Sequence, residues 1–225
     1  VPTWHAQYDE IEEVVNYFSN TLTIYGEPWK VFRVYTGSNQ PYTNSLILNK
    51  KVFVPIMNNS YDDDALAAYQ EAMPGYEVLG FTGSWESTDA LHCRVKGIPD
   101  LNMLQIFHNP IIDQDIPQSA YLVDAIIDDL SGEGLIENEL KVVWWTDEMD
   151  ESETIIMNVC SEDIVDCYAA SIPGQSSDAT IKYYIQALDN SGRLETLPMA
   201  GYFSFMALGG TTYESGDLNL DGIKI

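Results

Sequence analysis

The spacing of apolar positions in the first half of the chain predicts a mixture of helices and short strands. From Tyr8 to Asn20 apolar side chains recur at i, i+3, i+4 and i+7, which places them on one face of a helix. A second helix is expected to open at Asp62 and to end at Pro74, because acidic residues favour a helix N-terminus and proline stops a helix. Short strands are predicted at 29–35, 45–48, 51–55, 76–81 and 91–95. Short helices covering a small sheet give an α/β arrangement.

After Pro110 the pattern changes to strands alone. Strand-like runs occur at 121–127, 140–145, 154–159, 180–188 and 201–207, separated by acidic turns rich in Gly and Ser. Several short strands in about one hundred residues are typical of an immunoglobulin-like β-sandwich. We therefore expect an α/β domain over 1–110, a sandwich over 111–209, and a linker and tail over 210–225.

The charge balance excludes one class of partner. The chain has 10 Lys and Arg against 35 Asp and Glu, a net charge of -25, and such a surface repels the phosphates of nucleic acid. Residues 1–110 hold 13 acids and 6 bases, whereas residues 111–225 hold 22 acids and 4 bases. This charge favours solubility, or alternatively steers cationic substrates. No apolar run approaches the length of a membrane span.

The cysteines and the start of the chain bear on its compartment. Cys160 and Cys167 either close a small disulfide loop or are two separate buried thiols, and Cys93 is left as a free thiol. The chain begins at Val1 without an export signal, so we expect the signal to have been removed or to lie outside this sequence; a start inside a domain is also open. We expect a secreted or cell-surface protein.

Two polar segments carry candidate chemistry. One is Thr88-Asp89-Ala90-Leu91-His92-Cys93-Arg94, and the other runs from residue 39 to residue 45 around Asn44. Taken alone, the first is typical of a structural cysteine on a strand and the second of a turn rich in Asn and Pro. Asp89 is either a local orienting group or a backbone cap.

Together with two intervening segments, these motifs resemble a known family. The order QPYTNSLIL, KVFVP, AMPGYEVLGF and TDALHCR is similar to the C-terminal section of bacterial peptidylarginine deiminases, and more loosely to agmatine deiminases. The resemblance runs from residue 1 to about residue 110, with a weaker continuation at 187–193. It implies part of a pentein fold, a five-bladed α/β propeller. It also implies hydrolysis of an arginine-containing peptide or a small guanidino compound to the ureido product and ammonia, with no cofactor required for catalysis.

The resemblance also implies site residues. Cys93 is expected to be the nucleophile, Asn44 matches the motif's active-site asparagine, and Thr88 matches a residue that lines the substrate pocket. A thiolate suits this reaction because the guanidinium carbon is a poor electrophile.

The family's remaining catalytic groups fall outside the matching motifs. Its catalytic histidine and its guanidinium-binding acids belong to an H-x-D motif and an earlier segment, both upstream. For His5, His92 and His108 we expect structural or surface roles. We therefore expect this chain alone to be inactive, with the N-terminal part of the catalytic domain as its missing partner.

The tail contains a further motif. Asp217, Asn219 and Asp221 precede Gly222 in the manner of the first half of a calcium loop, and the segment looks like the opening of a dockerin module. The acid at the last position of such a loop is absent, so a Ca²⁺ site and a flexible linker both remain open. Two other functions also remain open: a non-catalytic extracellular adhesion or assembly module, and a cysteine hydrolase of another fold.

Overall fold

The chain forms two compact units. The computed structural model describes residues 3–24, 26–36, 40–160 and 164–210. The first unit extends to Pro99 and takes in Met199–Gly201, whereas the second contains Asp100–Pro198 and the segment from Tyr202. The second unit begins before the predicted boundary at residue 110, because a strand at 104–107 pairs with its sheet.

The first unit is built around a three-stranded sheet. Its elements are α1 (Tyr8–Ser19), β1 (Leu46–Leu48), β2 (Lys51–Ile56), α2 (Asp62–Ala72), β3 (Glu77–Thr82) and a single 3-10 turn (His92–Arg94). The strand order is β1-β2-β3, with β1 antiparallel to β2 and β3 parallel to it. Both predicted helices and the predicted hairpin are therefore confirmed.

A small core fixes α2 against this sheet. Its fully buried members are Tyr42, Val52, Val54 and Ala65. The Tyr42 hydroxyl donates a hydrogen bond to the Asp62 carboxylate, at 2.7 Å. Burial, and then Asp62, raise the pKa of Tyr42, so the hydroxyl keeps its proton as a donor. The segment before β1 is thereby joined to the start of α2.

The N-terminal part of the first unit is less buried than its pattern suggests. No residue of α1 is buried, and Val14 on its apolar face is 55% exposed. Phe18 of this face packs edge-on against Trp29, with ring centroids 5.4 Å apart. The predicted strand at 29–35 is wrong, since this segment pairs with no strand in the part of the chain that the structure describes.

The second unit consists of two antiparallel sheets. One sheet has the order β11-β10-β6-β7, with β12 also paired to β10, and the other has the order β4-β5-β9-β8. The strands are β4 (Leu104–Phe107), β5 (Ala120–Asp129), β6 (Lys141–Thr146), β7 (Glu153–Ile156), β8 (Asn158–Val159), β9 (Cys167–Pro173), β10 (Ala179–Leu188), β11 (Leu194–Leu197) and β12 (Phe203–Ala207). The predicted run at 154–159 is two strands, and β4, β9 and β11 were not predicted.

Both sheets contribute to one hydrophobic core. Buried side chains alternate along β5 and β10, including Val123 and Ile127 from one sheet and Ile181 and Ile185 from the other. Across the described residues the chain is mostly sheet with few helices, which is consistent with the α/β class. None of the described helices is both long enough and apolar enough to cross a bilayer.

Candidate active site

Cys93 lies on a helical turn, so the strand predicted at 91–95 is wrong. The 3-10 turn comprises His92–Arg94, and Leu91 before it already has helical backbone angles of φ -58° and ψ -53°. The Cys93 thiol is free and exposed, since the other two of the three cysteines form a disulfide between Cys160 and Cys167. The open question about that pair is thus resolved in favour of the bridge.

Asn44 binds both the backbone and the side chain of Cys93. The Asn44 Nδ2 group donates to Cys93 Sγ at 2.9 Å, and the Cys93 amide donates to Asn44 Oδ1 at 3.2 Å. The Asn44 carbonyl also accepts the His92 amide, at 3.1 Å. Asn44 is itself half-buried, and its backbone amide donates to the Pro41 carbonyl within a turn that precedes β1. The two residues are 49 positions apart, so this contact depends on the fold.

Thr88 contacts the Cys93 sulfur through its backbone carbonyl. The Cys93 thiol donates to the Thr88 carbonyl oxygen at 3.5 Å. The structure therefore brings Cys93, Asn44 and Thr88 together, with the asparagine as donor to sulfur and the threonine carbonyl as acceptor from it. Sequence reasoning placed Thr88 in the pocket wall but did not foresee that its backbone oxygen makes the contact.

A second cluster beside the thiol was missed from the sequence. Arg94 pairs with the Asp89 carboxylate at 3.0 Å and lies over the Trp85 ring, 5.3 Å from its centroid. It also donates to the Ser84 carbonyl at 3.1 Å. Asp89 is thus the ion-pair partner of Arg94. The adjacent Cys and Arg could have indicated this cluster from the sequence. The contacts that the two side chains make follow only from the helical turn.

The histidines do not supply a partner for the sulfur among the described contacts. His5 accepts the Gln7 amide at 3.2 Å, near the start of α1. His108 is buried in the second unit, where its ring contacts the Asp124 carbonyl and the Tyr183 hydroxyl. Burial lowers the pKa of His108 below its ordinary value, which favours the neutral ring.

The candidate calcium ligands belong to the tail, outside the part of the chain that the structure describes. Asp217, Asn219 and Asp221 lie outside the described residues, and so does Asn39 of the first polar segment. Within residues 3–24, 26–36, 40–160 and 164–210, no group of three or more His, Cys, Asp or Glu side chains is arranged to hold a metal ion. The Ca²⁺ site stays a prediction.

Comparison with known families gives a match within the first unit. A model of the Porphyromonas-type peptidyl-arginine deiminase family matches residues 3–99. The match covers the four resembling motifs and ends before the second unit, so it does not include the weaker likeness at 187–193. The predicted resemblance is confirmed for the first unit. Over residues 3–99, the chain is similar to the Porphyromonas-type peptidyl-arginine deiminase family.

Proposed function

We propose that the first unit carries the nucleophile of an arginine deiminase that acts on peptidyl-arginine or a small guanidino compound. Cys93 is the nucleophile, Asn44 orients the sulfur, and the Thr88 segment forms part of the pocket wall. The contact that supports this proposal is the reciprocal pair of hydrogen bonds between Asn44 and Cys93, within the segment that the family model matches. An exposed free thiol held by a half-buried amide is suited to attack on a substrate from solvent.

The reaction proceeds by covalent catalysis at the guanidinium carbon. The Cys93 thiolate forms a bond to that carbon, and the tetrahedral adduct then breaks a carbon–nitrogen bond to release ammonia, which takes up a proton. A thiouronium remains on the sulfur. Water adds to its carbon and gives up two protons, one of which restores the acid that protonated the ammonia while the other goes to solvent. The carbon–sulfur bond breaks, and the electron pair returns to the thiolate, leaving the ureido product. The Asn44 N–H donor stabilises negative charge on sulfur at the start and at the end of this cycle.

Two further groups are needed, and we propose that they come from another part of the catalytic domain. The substrate needs carboxylates to bind its planar cation, and the leaving ammonia needs an acid. In the described residues, the hydrogen-bond partners of the Cys93 sulfur are Asn44 and Thr88 alone. The exposed apolar face of α1 supports the same proposal, because further blades of a propeller would cover it.

The second unit suggests where the enzyme works. The Cys160–Cys167 disulfide is typical of proteins from oxidising compartments, which supports a secreted or cell-surface location. Two antiparallel sheets around one core support an immunoglobulin-like sandwich that accompanies the catalytic unit.

The nucleophile is tested by alkylating the whole chain with 2-chloroacetamidine, whose amidinium resembles the guanidinium of the substrate. Peptide mapping locates the modified residue, and the second-order rate constant is measured for the folded chain and for the chain unfolded in urea. We expect modification at Cys93 and a faster reaction in the folded chain, because Asn44 activates the thiol only there. Equal rates in the two states, or a slower folded chain, would overturn the assignment.

The need for further groups is tested separately by catalysis. We expect the chain to release no ammonia from arginine peptides, and to do so when it is combined with an upstream segment that contains an H-x-D motif. A Cys93→Ser variant of the combined protein controls for contaminating activity. Ammonia release by this chain alone would refute the claim that it needs a partner segment, and would leave the role of Cys93 intact.

A further inference from the structure

The side chain of Arg94 ties the turn that carries Cys93 to the loop that follows β3. Its Nε group donates to the Asp89 carboxylate at 3.1 Å, and its Nη2 group donates to the Ser84 carbonyl and the Asp89 carbonyl, each at 3.1 Å. Three acceptors on two residues are thus held by one planar guanidinium. Such a rigid fork fixes relative positions in a way that a flexible ammonium does not.

The indole of Trp85 completes this cluster and connects it to the sheet. The Trp85 ring lies under the guanidinium, and its Nε1 group donates to the carbonyl of Phe81 at the end of β3, at 2.9 Å. Gly83 lies directly against the ring, since a Cβ atom at that position would be 2.6 Å from it. The ring is therefore in close contact with both the guanidinium and the loop backbone at Gly83.

Asp89, which Arg94 holds by its carboxylate and its carbonyl, directly follows the residue whose carbonyl contacts the sulfur. Thr88 immediately precedes Asp89, and its carbonyl oxygen is the acceptor at 3.5 Å from Cys93 Sγ. Arg94 itself immediately follows Cys93. We infer that Arg94 is a positioning residue for the nucleophile: by holding Asp89, its fork keeps the neighbouring Thr88 carbonyl beside the thiol. This inference rests on the proposed function, in which Cys93 attacks the substrate.

The stability of the unit should depend little on the same contacts. The Arg94 and Asp89 side chains are 42% and 47% exposed, and an exposed ion pair contributes little to folding. A change that keeps the charge but removes the fork should therefore alter the thiol without unfolding the unit. Arg94→Lys is such a change, and it separates positioning from a general structural role.

The test compares Arg94→Lys with Arg33→Lys in the whole chain. Arg33 is the matched control, because it also makes a two-pronged exposed contact in the first unit, with Glu12 at 2.9 Å and 2.7 Å. Cys93 alkylation is measured with cationic 2-chloroacetamidine and with neutral 2-chloroacetamide. We expect Arg94→Lys to lower both rate constants by the same factor, roughly tenfold or more, because a misplaced reacting group loses rate whatever the charge of its partner. Arg33→Lys should leave both rates unchanged.

The urea midpoint of each variant supplies the second readout. Positioning predicts slower alkylation at an unchanged midpoint. Rates in Arg94→Lys equal to those of the parent, or faster, overturn the inference. A loss confined to the cationic reagent overturns it too, because it would mean that Arg94 affects recognition of the amidinium rather than the position of the sulfur. If Arg94→Lys lowers the midpoint, Trp85→Phe is tested in its place, because this change keeps a ring under the guanidinium and removes the hydrogen bond to Phe81. Trp85→Phe is then expected to slow the alkylation of Cys93 by both reagents. Alkylation rates equal to those of the parent would overturn the inference.

These outcomes are distinct from failure of the proposed function itself. If Cys93 in the parent chain reacts no faster when folded than when unfolded, the nucleophile assignment fails before the variants are compared. If the parent is activated and Arg94→Lys is activated equally, only the role of Arg94 is refuted.

Discussion

Replacing His108 should destabilise the second unit, because this ring joins its two sheets through hydrogen bonds. The Nδ1 atom lies 2.6 Å from the Asp124 carbonyl on β5, and the Nε2 atom lies 2.8 Å from the Tyr183 hydroxyl on β10. A carbonyl only accepts, so Nδ1 carries the proton and Nε2 accepts from Tyr183, whose oxygen in turn accepts the Ile111 amide at 2.9 Å. In His108→Leu, the Asp124 carbonyl loses this donor, and the Tyr183 hydroxyl loses its acceptor while it keeps the Ile111 amide.

The expected loss of stability comes mainly from the Tyr183 hydroxyl, which is buried, whereas Asp124 is an exposed residue. A buried polar group that loses a hydrogen bond costs about 1–3 kcal/mol, so His108→Leu should lower the free energy of unfolding by about 1–3 kcal/mol near pH 8. The assay is urea unfolding of the whole chain, followed by the fluorescence of tryptophan, including the buried Trp144 of the second unit. His5→Leu is the control, since His5 is half-buried in the first unit.

Acidification should narrow the difference between the parent and His108→Leu. Burial lowers the pKa of His108 in the folded state, and the Asp124 carbonyl offsets this only in part. As the pH falls below about 6.5, the unfolded chain takes up a proton at this residue before the folded chain does, so the parent loses stability. The leucine variant lacks that group. Equal stability of the two proteins at pH 8, or a gap that widens at pH 5.5, would refute the assignment of a neutral histidine.

Three further outcomes are expected. Asn44→Asp keeps an acceptor for the Cys93 amide but removes the donor to sulfur, so Cys93 alkylation by iodoacetamide should slow by roughly tenfold; an unchanged rate would show that the amide does not activate the thiol. Tyr42→Phe removes a donor from the Asp62 carboxylate and should lower the stability of the first unit by about 1–2 kcal/mol in a thermal melt, an effect absent if water replaces the hydroxyl. Reduction of the Cys160–Cys167 disulfide, in a Cys93→Ser background, should cost about 2–3 kcal/mol in urea unfolding, and no loss would mean that the short loop is already ordered when unfolded.

Local sequence patterns predict those elements of the first unit that interactions between neighbouring residues determine. The helix α1 follows from apolar periodicity, and α2 follows from the three acids that open it and the proline that ends it. The hairpin of β1 and β2 is predicted because its turn contains Asn49, whose φ of 47° lies in a region that asparagine tolerates. No distant contact is needed to recognise these three.

The failures occur where distant contacts decide the structure. Residues 91–95 look like a strand because apolar side chains flank them, but the Asn44 carbonyl holds the His92 amide and Arg94 folds back onto its loop. The short strand β4 precedes a proline-containing junction, and only its pairing with β5 places it in the second unit. A strand is stabilised by its neighbour as much as by its own residues.

The contact between Asn44 and Cys93 is also distant, yet the topology explains why these two positions meet. Asn44 precedes β1, and since β1 is antiparallel to β2, the start of β1 lies towards the carboxyl end of β2. The strand β3 is parallel to β2, so it ends at that same edge, where Thr82 is paired with Ile56. The segment that follows β3 leads to Cys93 from there. An antiparallel hairpin followed by a parallel crossover therefore delivers both motifs to one edge of the sheet, which is where α/β proteins commonly bind ligands. The strand directions therefore bring Cys93 and its amide donor Asn44 together.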